Sequence, residues 1–141
     1  MRHDSRLRLK LLAEPFGILK LPPTQRFPAW VADAPIFFVA RTEDEFSVMC
    51  PQRYIPANVP HSAGWLCLRV DGDLLFDEVG VAARVSRPLA DAGLSIFLVS
   101  THDRDYVMIA EKDLQSALTA YENAGFHIVN HSNIALIRAE R

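Results

Sequence analysis

Leu7, Leu9 and Leu11 alternate with Arg8 and Lys10. A period of two predicts a strand with one buried face. Glu14-Pro15 interrupts it. A second strand follows over Phe16–Leu21, closed by Pro22-Pro23 because proline has no amide to give to a ladder. Residues 28–34 leave room only for a short helix, and the apolar runs 36–40 and 46–50 read as two more strands. Residues 51–64 carry three prolines and predict an irregular crossover.

The second half is more regular. Over residues 65–70, Trp65, Cys67 and Arg69 face one way and Leu66, Leu68 and Val70 the other, and the strand stops at the turn signal Asp71-Gly72. Phe76-Asp77-Glu78-Val79-Gly80 leads into a helix. Its Ala82, Val85, Leu89 and Ala92 fall on one face at helical spacing, with Arg84, Arg87 and Asp91 on another. Pro88 forfeits one backbone bond and should bend or loosen the last turn, and Gly93 is a natural stop. Residues 95–99 and 106–109 are strands around a polar turn. Residues 111–124 form a second helix with Leu114, Ala117, Leu118 and Tyr121 as its buried stripe and Gly125 as its stop. Residues 126–129 make a last strand, and Ile134-Ala135-Leu136-Ile137 suits one more.

The order over residues 65–129 is therefore βαββαβ: an α+β, ferredoxin-like unit, with an antiparallel sheet carrying two helices on one face. The first half is a thinner version, its helices shortened or missing. A shift of about 60 positions lays Phe37, Val39, Glu45 and Phe46 on Phe97, Val99, Asp105 and Tyr106, as two related units would.

A chain of 141 residues suits one ordinary domain or two small units that share a core. The net charge of -2 leaves no surplus of Lys and Arg to neutralise phosphates, which argues against a nucleic-acid partner. Cys50 and Cys67 lie in apolar runs and read as buried structural thiols rather than a disulfide framework. No apolar stretch reaches the roughly 18 to 20 residues that span a bilayer. The basic first residues lack a signal-peptide core. A reduced cytoplasmic protein, without a membrane partner, is the expectation.

Two segments are candidates for chemistry. Around Phe76 to Val81 a strand runs through a loop into a helix start, where free amides and the helix dipole suit a carboxylate or phosphate and Gly80 permits close approach. The plain alternative is that Asp77 caps the helix. The segment Ser100-Thr101-His102-Asp103-Arg104-Asp105 reads first as a hairpin turn. Asp105 nevertheless abuts Tyr106 at a strand start, where the pleat fixes its direction, and its carboxylate suits an ammonium or guanidinium group. Thr101 can donate or accept beside it. The five histidines show no ligand spacing with either cysteine, so no metal or other cofactor is expected. No nucleophile elbow, phosphate loop or dinucleotide fingerprint is present, and an enzyme is not expected.

The segment LLFDEVGVAARVSRPLADAGLSIFLVSTHDRDYVMIAEKDLQSAL, with Phe76-Asp77-Glu78, Gly80, Ser86, Pro88-Leu89-Ala90, Ser100-Thr101, Asp105 and Glu111, resembles the second unit of the tandem-ACT family that includes the cytosolic arginine sensors, the CASTOR group. FFVARTEDEFSVMCPQ and GWLCLRVDG resemble that family's degenerate leading unit. The resemblance implies ACT units in tandem, a leading one over residues 1–63 and a second over 64–141. It also implies a non-catalytic regulatory protein that binds an amino acid or similar small ligand, forms a homodimer and acts on a protein partner. A ligand-independent oligomerisation or adaptor module is the alternative. By resemblance the ligand site draws on Leu75, Asp77, Glu78, Val79 and Gly80 from one loop and on Ser100, Thr101, His102, Arg104 and Asp105 from the other. Arg41 and Thr42 would come from the leading unit. Two departures bear on the ligand. Leu75 stands where the arginine sensors have glycine and would narrow the pocket. His102 and Arg104 replace aromatics, and Arg104 would repel a guanidinium. The site location is thus expected to carry over better than arginine itself.

Overall fold

The computed structural model describes residues 7–72 and 79–129. In chain order they form β1 (Arg8–Leu11), β2 (Phe16–Leu21), α1 (Ala29–Ala32), β3 (Phe38–Arg41), β4 (Phe46–Pro51), a tight helical turn (Gln52–Tyr54), β5 (Ser62–Asp71), α2 (Val81–Asp91), β6 (Ile96–Ser100), β7 (Asp105–Ala110), a second tight turn (Glu111–Asp113), α3 (Leu114–Asn123) and β8 (His127–Val129). Leu75, Asp77, Glu78 and the expected tail strand lie outside the described residues. The described residues divide into two units: residues 14–65, and residues 7–13 together with 66–72 and 79–129.

In the unit of residues 14–65 the strands lie in the order β3-β4-β2-β5, each pair antiparallel. That is the spatial order of a ferredoxin-like unit whose first helix is cut to four residues and whose second is cut to the turn Gln52–Tyr54. Leu19, Val31, Phe46, Val48, Cys50 and Ile55 form its buried cluster. The strand β5 starts at Ser62, three residues earlier than the pattern predicts. The β2–β5 register shifts between Phe16 and Ile18, and Gly64, at φ 80°, sits in that irregular stretch. Its amide donates to the Gln52 side chain at 2.9 Å. Gly64, at the end of the expected irregular crossover, thus serves in a bulge, with its displaced donor satisfied.

In the other unit the order is β8-β1-β5-β7-β6. The order of elements β5, α2, β6, β7, α3, β8 is the βαββαβ expected. One feature departs from it. Strand β1 lies between β5 and β8, antiparallel to the former, with Leu9 opposite Val70, and parallel to the latter, with Leu9 beside Ile128. The expected boundary at 63/64 had grouped residues 7–13 with the leading half. Leu7, Leu9 and Leu11 instead pack into the cluster formed by Leu66, Leu68, Val70, Val85, Leu89, Val107, Leu118 and Tyr121.

Leu114, Ala117, Leu118 and Tyr121 are the buried face of α3, as the spacing predicts. In α2 the buried row is Val85 and Leu89, joined by Val81, while Ala82 and Ala92 are exposed. Positions four apart keep one row, and the larger side chains win it. The helix runs three residues past Pro88. Both helices end in the same motif. Leu94 donates to the Leu89 carbonyl at 2.9 Å and Gly93, at φ 77°, to Ala90; Phe126 donates to Tyr121 at 3.0 Å and Gly125, at φ 95°, to Glu122. Each crossed pair satisfies carbonyls that the helix leaves open. The apolar contact that accompanies it is visible at the second, where the Tyr121 and Phe126 rings meet edge to face at 5.1 Å.

Candidate functional site

The turn between β6 and β7 is held by Thr101. Its amide donates to the Arg104 carbonyl at 2.8 Å, its hydroxyl donates to the same carbonyl at 2.9 Å, and the Arg104 amide donates back to the hydroxyl at 3.3 Å. The β3–β4 turn repeats this arrangement with Thr42 and Glu45. Both turns join paired end residues, Arg41 with Phe46 and Ser100 with Asp105. The two hairpins therefore superpose at a shift of 59, one less than the pattern suggests, which brings Phe38, Thr42 and Asp44 onto Phe97, Thr101 and Asp103. A slip of one residue exchanges the two faces of a strand, so the match of Glu45 with Asp105 is replaced by Glu45 with Arg104.

Beside the β6–β7 turn, Val70, Asp71 and Gly72 at the end of β5 and Asp103 and Arg104 line a cleft of about 250 Å³. Asp71 is its centre. Arg69 donates to both carboxylate oxygens, Nε to Oδ1 and Nη2 to Oδ2, each at 2.9 Å. Arg104 Nη1 donates to Oδ1 at 2.7 Å. Burial by itself would raise the Asp71 pKa, but the Arg69 hydrogen bonds, reinforced by the charges of Arg69 and Arg104, hold it below the usual carboxylate range. His102 meets Asp103 at 2.8 Å on the outside of the turn, and their hydrogen bond lowers the Asp103 pKa as well. Asp105 is half-buried, and its carboxylate makes no hydrogen bond or ion pair among the described residues.

At the start of α2 the N-cap position belongs to Gly80, at φ 85° and ψ 7°, with no side-chain cap among the described residues and no acidic residue in the first turn. Val79 before it is 90% exposed. Arg41 and Thr42, in the unit of residues 14–65, are engaged locally. Arg41 donates to the carbonyls of Pro23 and Gln25 and lies 4.3 Å above the Phe46 ring, while Thr42 closes its own turn. Of the expected ligand residues, Ser100, Thr101, His102, Arg104 and Asp105 come together on one hairpin end. Sequence reasoning passed over Arg69 and Asp71. The available signal was an Arg-x-Asp pair, which a strand places on one face.

Cys50 and Cys67 are free and buried, and burial pushes their thiols up to about 11 and about 12. Among the described residues no group of three or more His, Cys, Asp or Glu is arranged for a metal ion, and no helix is long and apolar enough to cross a membrane.

Residues 61–123 match the ACT domain family, and residues 14–58 match a separate family described as an N-terminal domain. A crystal structure of a protein from Agrobacterium tumefaciens is 35% identical, with a TM-score of 0.82 over 88% of this chain and 92% of that one. The ligand-free regulatory subunit of aspartate kinase from Thermus thermophilus shares the fold at 15% identity, with a TM-score of 0.56 over 82% of this chain and 96% of that one. The human protein named Cytosolic arginine sensor for mTORC1 subunit 1 is 34% identical over 55 residues, 38% of this chain and 17% of the human protein. Its mouse counterpart is 30% identical over 88 residues, 57% of this chain and 27% of the mouse protein. The chain thus matches less than a third of the length of these curated relatives.

Proposed function

We infer that this chain, which belongs to the ACT-domain proteins, is a non-catalytic regulatory protein that binds an amino acid. The observation that carries this reading is the cleft of about 250 Å³ between the end of β5 and the β6–β7 turn, where charged groups of both signs converge. An amino acid presents a carboxylate and an ammonium a few ångströms apart, and paired arginine and aspartate side chains are their complements. The neighbouring Asp105, with no described partner, and the start of α2 at Gly80, with no cap among the described residues, support extending the proposed site to the helix start, for which Asp77 and Glu78 are further candidates. Binding would act by differential affinity for two arrangements of the chain or of a homodimer, and so change what a protein partner meets. A cytoplasmic setting accords with the names of the mammalian relatives.

The test is a thermal-shift screen of the full chain against the twenty amino acids at millimolar concentration. A ligand that binds only the folded state at about a hundred times its Kd adds about 2.7 kcal/mol of stability. One or two amino acids should raise the melting temperature, and Asp105→Ala should remove that rise. A flat screen would favour the alternative, assembly without a ligand. For that reading the specific observation is β6, which pairs only with β7 among the described strands and exposes Phe97 and Leu98.

A further inference from the structure

Among the described residues, Asp71 does not cancel the positive charge around it. Arg69 alone satisfies both carboxylate oxygens in a two-pronged, one-to-one ion pair. Arg104 is attached to a carboxylate already neutralised. Of its five N–H donors, Asp71 accepts one, and no other described residue accepts from the rest. The surrounding sheet face adds to the surplus. In the β1–β5 ladder Arg8 stands opposite Asp71 and Lys10 opposite Arg69, while His127 stands beside Arg8 on β8. Directly paired residues project to the same side of a sheet, so these groups share the face opposite to Leu9, Val70 and Ile128. Among the charged residues of β1 and β5, three are cations and Asp71 is the one acid. Asp103 also lines the cleft, but its side chain is 74% exposed and leans on His102, so water screens it.

We propose that the cleft beside Asp71 is a carboxylate subsite, in which Arg104 recognises the anionic group of an acidic amino acid or small dicarboxylate and Asp71 holds Arg104 in place. This deepens the amino-acid-binding reading and rests on it. Arginine suits the role because its planar fork meets a carboxylate through two parallel hydrogen bonds. The Asp71 tether removes much of the rotamer freedom that a surface arginine loses on binding. Because Arg69 and Arg104 hold the Asp71 carboxylate ionised, the tether persists through neutral pH. A ligand with a cationic end meets two fixed guanidiniums there and is disfavoured.

The experiment titrates the full chain with aspartate, glutamate, asparagine, glutamine, arginine, lysine, succinate and glutarate, reading affinity by calorimetry and melting temperature in parallel. Aspartate or glutamate should bind at least tenfold more tightly than its amide, and arginine and lysine should give no response. Arg104→Gln should erase the preference for acid over amide. Asp71→Asn should reduce it several-fold, and Arg104→Lys should retain part of it. A residue that merely supports the fold would lower the melting temperature and leave that ratio intact. If arginine or lysine binds as well as glutamate, or if Arg104→Gln leaves the acid-to-amide ratio unchanged, the subsite is overturned while amino-acid binding stands. Succinate or glutarate binding through Arg104, with all twenty amino acids silent in the thermal-shift screen, would keep the anion subsite and refute the amino-acid reading. Silence from all eight compounds would refute the subsite, while the screen of twenty amino acids decides the amino-acid reading separately.

Discussion

At the scale of single residues, the buried titratable groups govern how the fold meets alkaline solution. The Cys50 and Cys67 side chains are fully buried, with thiols pushed up to about 11 and about 12 from an ordinary value of 9.0. Burial raises them in both cases, and the nearby Arg69 charge offsets only part of the rise at Cys67. Tyr121 is raised too, by burial, and its hydroxyl donates to the Val85 carbonyl at 2.7 Å. A folded-state pKa above the unfolded one contributes stability that is complete below the unfolded value and is lost as pH rises. The protein should therefore hold a level stability with respect to these groups up to about pH 9, then lose at most about 1.4 kcal/mol per pH unit for each thiol, with Tyr121 joining above about pH 10. Urea denaturation from pH 7.5 to 10.5 measures the slope. The Cys50→Ala, Cys67→Ala double variant should be less stable at neutral pH because of the lost packing, yet flatter above pH 9. Equal slopes for the two proteins would show that the thiols ionise freely in the folded state.

At the scale of elements, much was legible because it depends on local pattern. The β2 bounds, the stripe of α3 and the stops at Gly93 and Gly125 follow from period and from glycine's access to positive φ. The misread features each needed a partner distant in sequence. The hairpin echo was off by one because apolar strands look alike until a register is known. Asp71 read as a turn residue because its bond to Arg104 joins positions 33 apart. Gly17 belongs with these. A β-carbon added there would stand 2.4 Å from Ile55 Cδ1 and 3.0 Å from His61 Cδ2. That space is filled by the short crossover that stands where a second helix would lie. Ile55 belongs to the buried cluster and has little room to turn aside. Gly17→Ala should cost about 1–3 kcal/mol, as overpacking does. Ile55→Val removes the offending methyl and on its own should cost about 0.5–1.5 kcal/mol. The double variant should be more stable than the sum of the two losses, by a coupling of at least about 0.5 kcal/mol in denaturant titration. Simple additivity would mean that the approach at Gly17 does not constrain the unit.

At the scale of the whole molecule, the sequence makes β1 look like the opening strand of the first unit, since it precedes β2 by only a few residues. Its hydrogen bonds and its burial assign it elsewhere. It is an interior strand of the order β8-β1-β5-β7-β6, and the described partner of β8 is β1 alone. Leu7, Leu9 and Leu11 are each at most 1% exposed. Burying a leucine contributes about 1.5–3 kcal/mol, so the three together approach the roughly 5–15 kcal/mol that holds a typical domain folded. A chain shortened to begin at Leu12 should therefore lose slow amide exchange at Val70 and at Ile128 together, because both strands lose their shared neighbour. Point variants separate this packing from a general effect of truncation. Leu9→Ala should cost about 2–5 kcal/mol, whereas Lys10→Ala, on the opposite face, should change stability by no more than about 0.5 kcal/mol. Slow exchange retained at Ile128 in the shortened chain would require β8 to find a partner other than β1. The carboxylate subsite depends on the same strand, since β1 places Arg8 and Lys10 opposite Asp71 and Arg69. Lys10→Ala should accordingly leave the fold intact while weakening glutamate binding, a loss that deepens as ionic strength falls and the long-range charge is less screened.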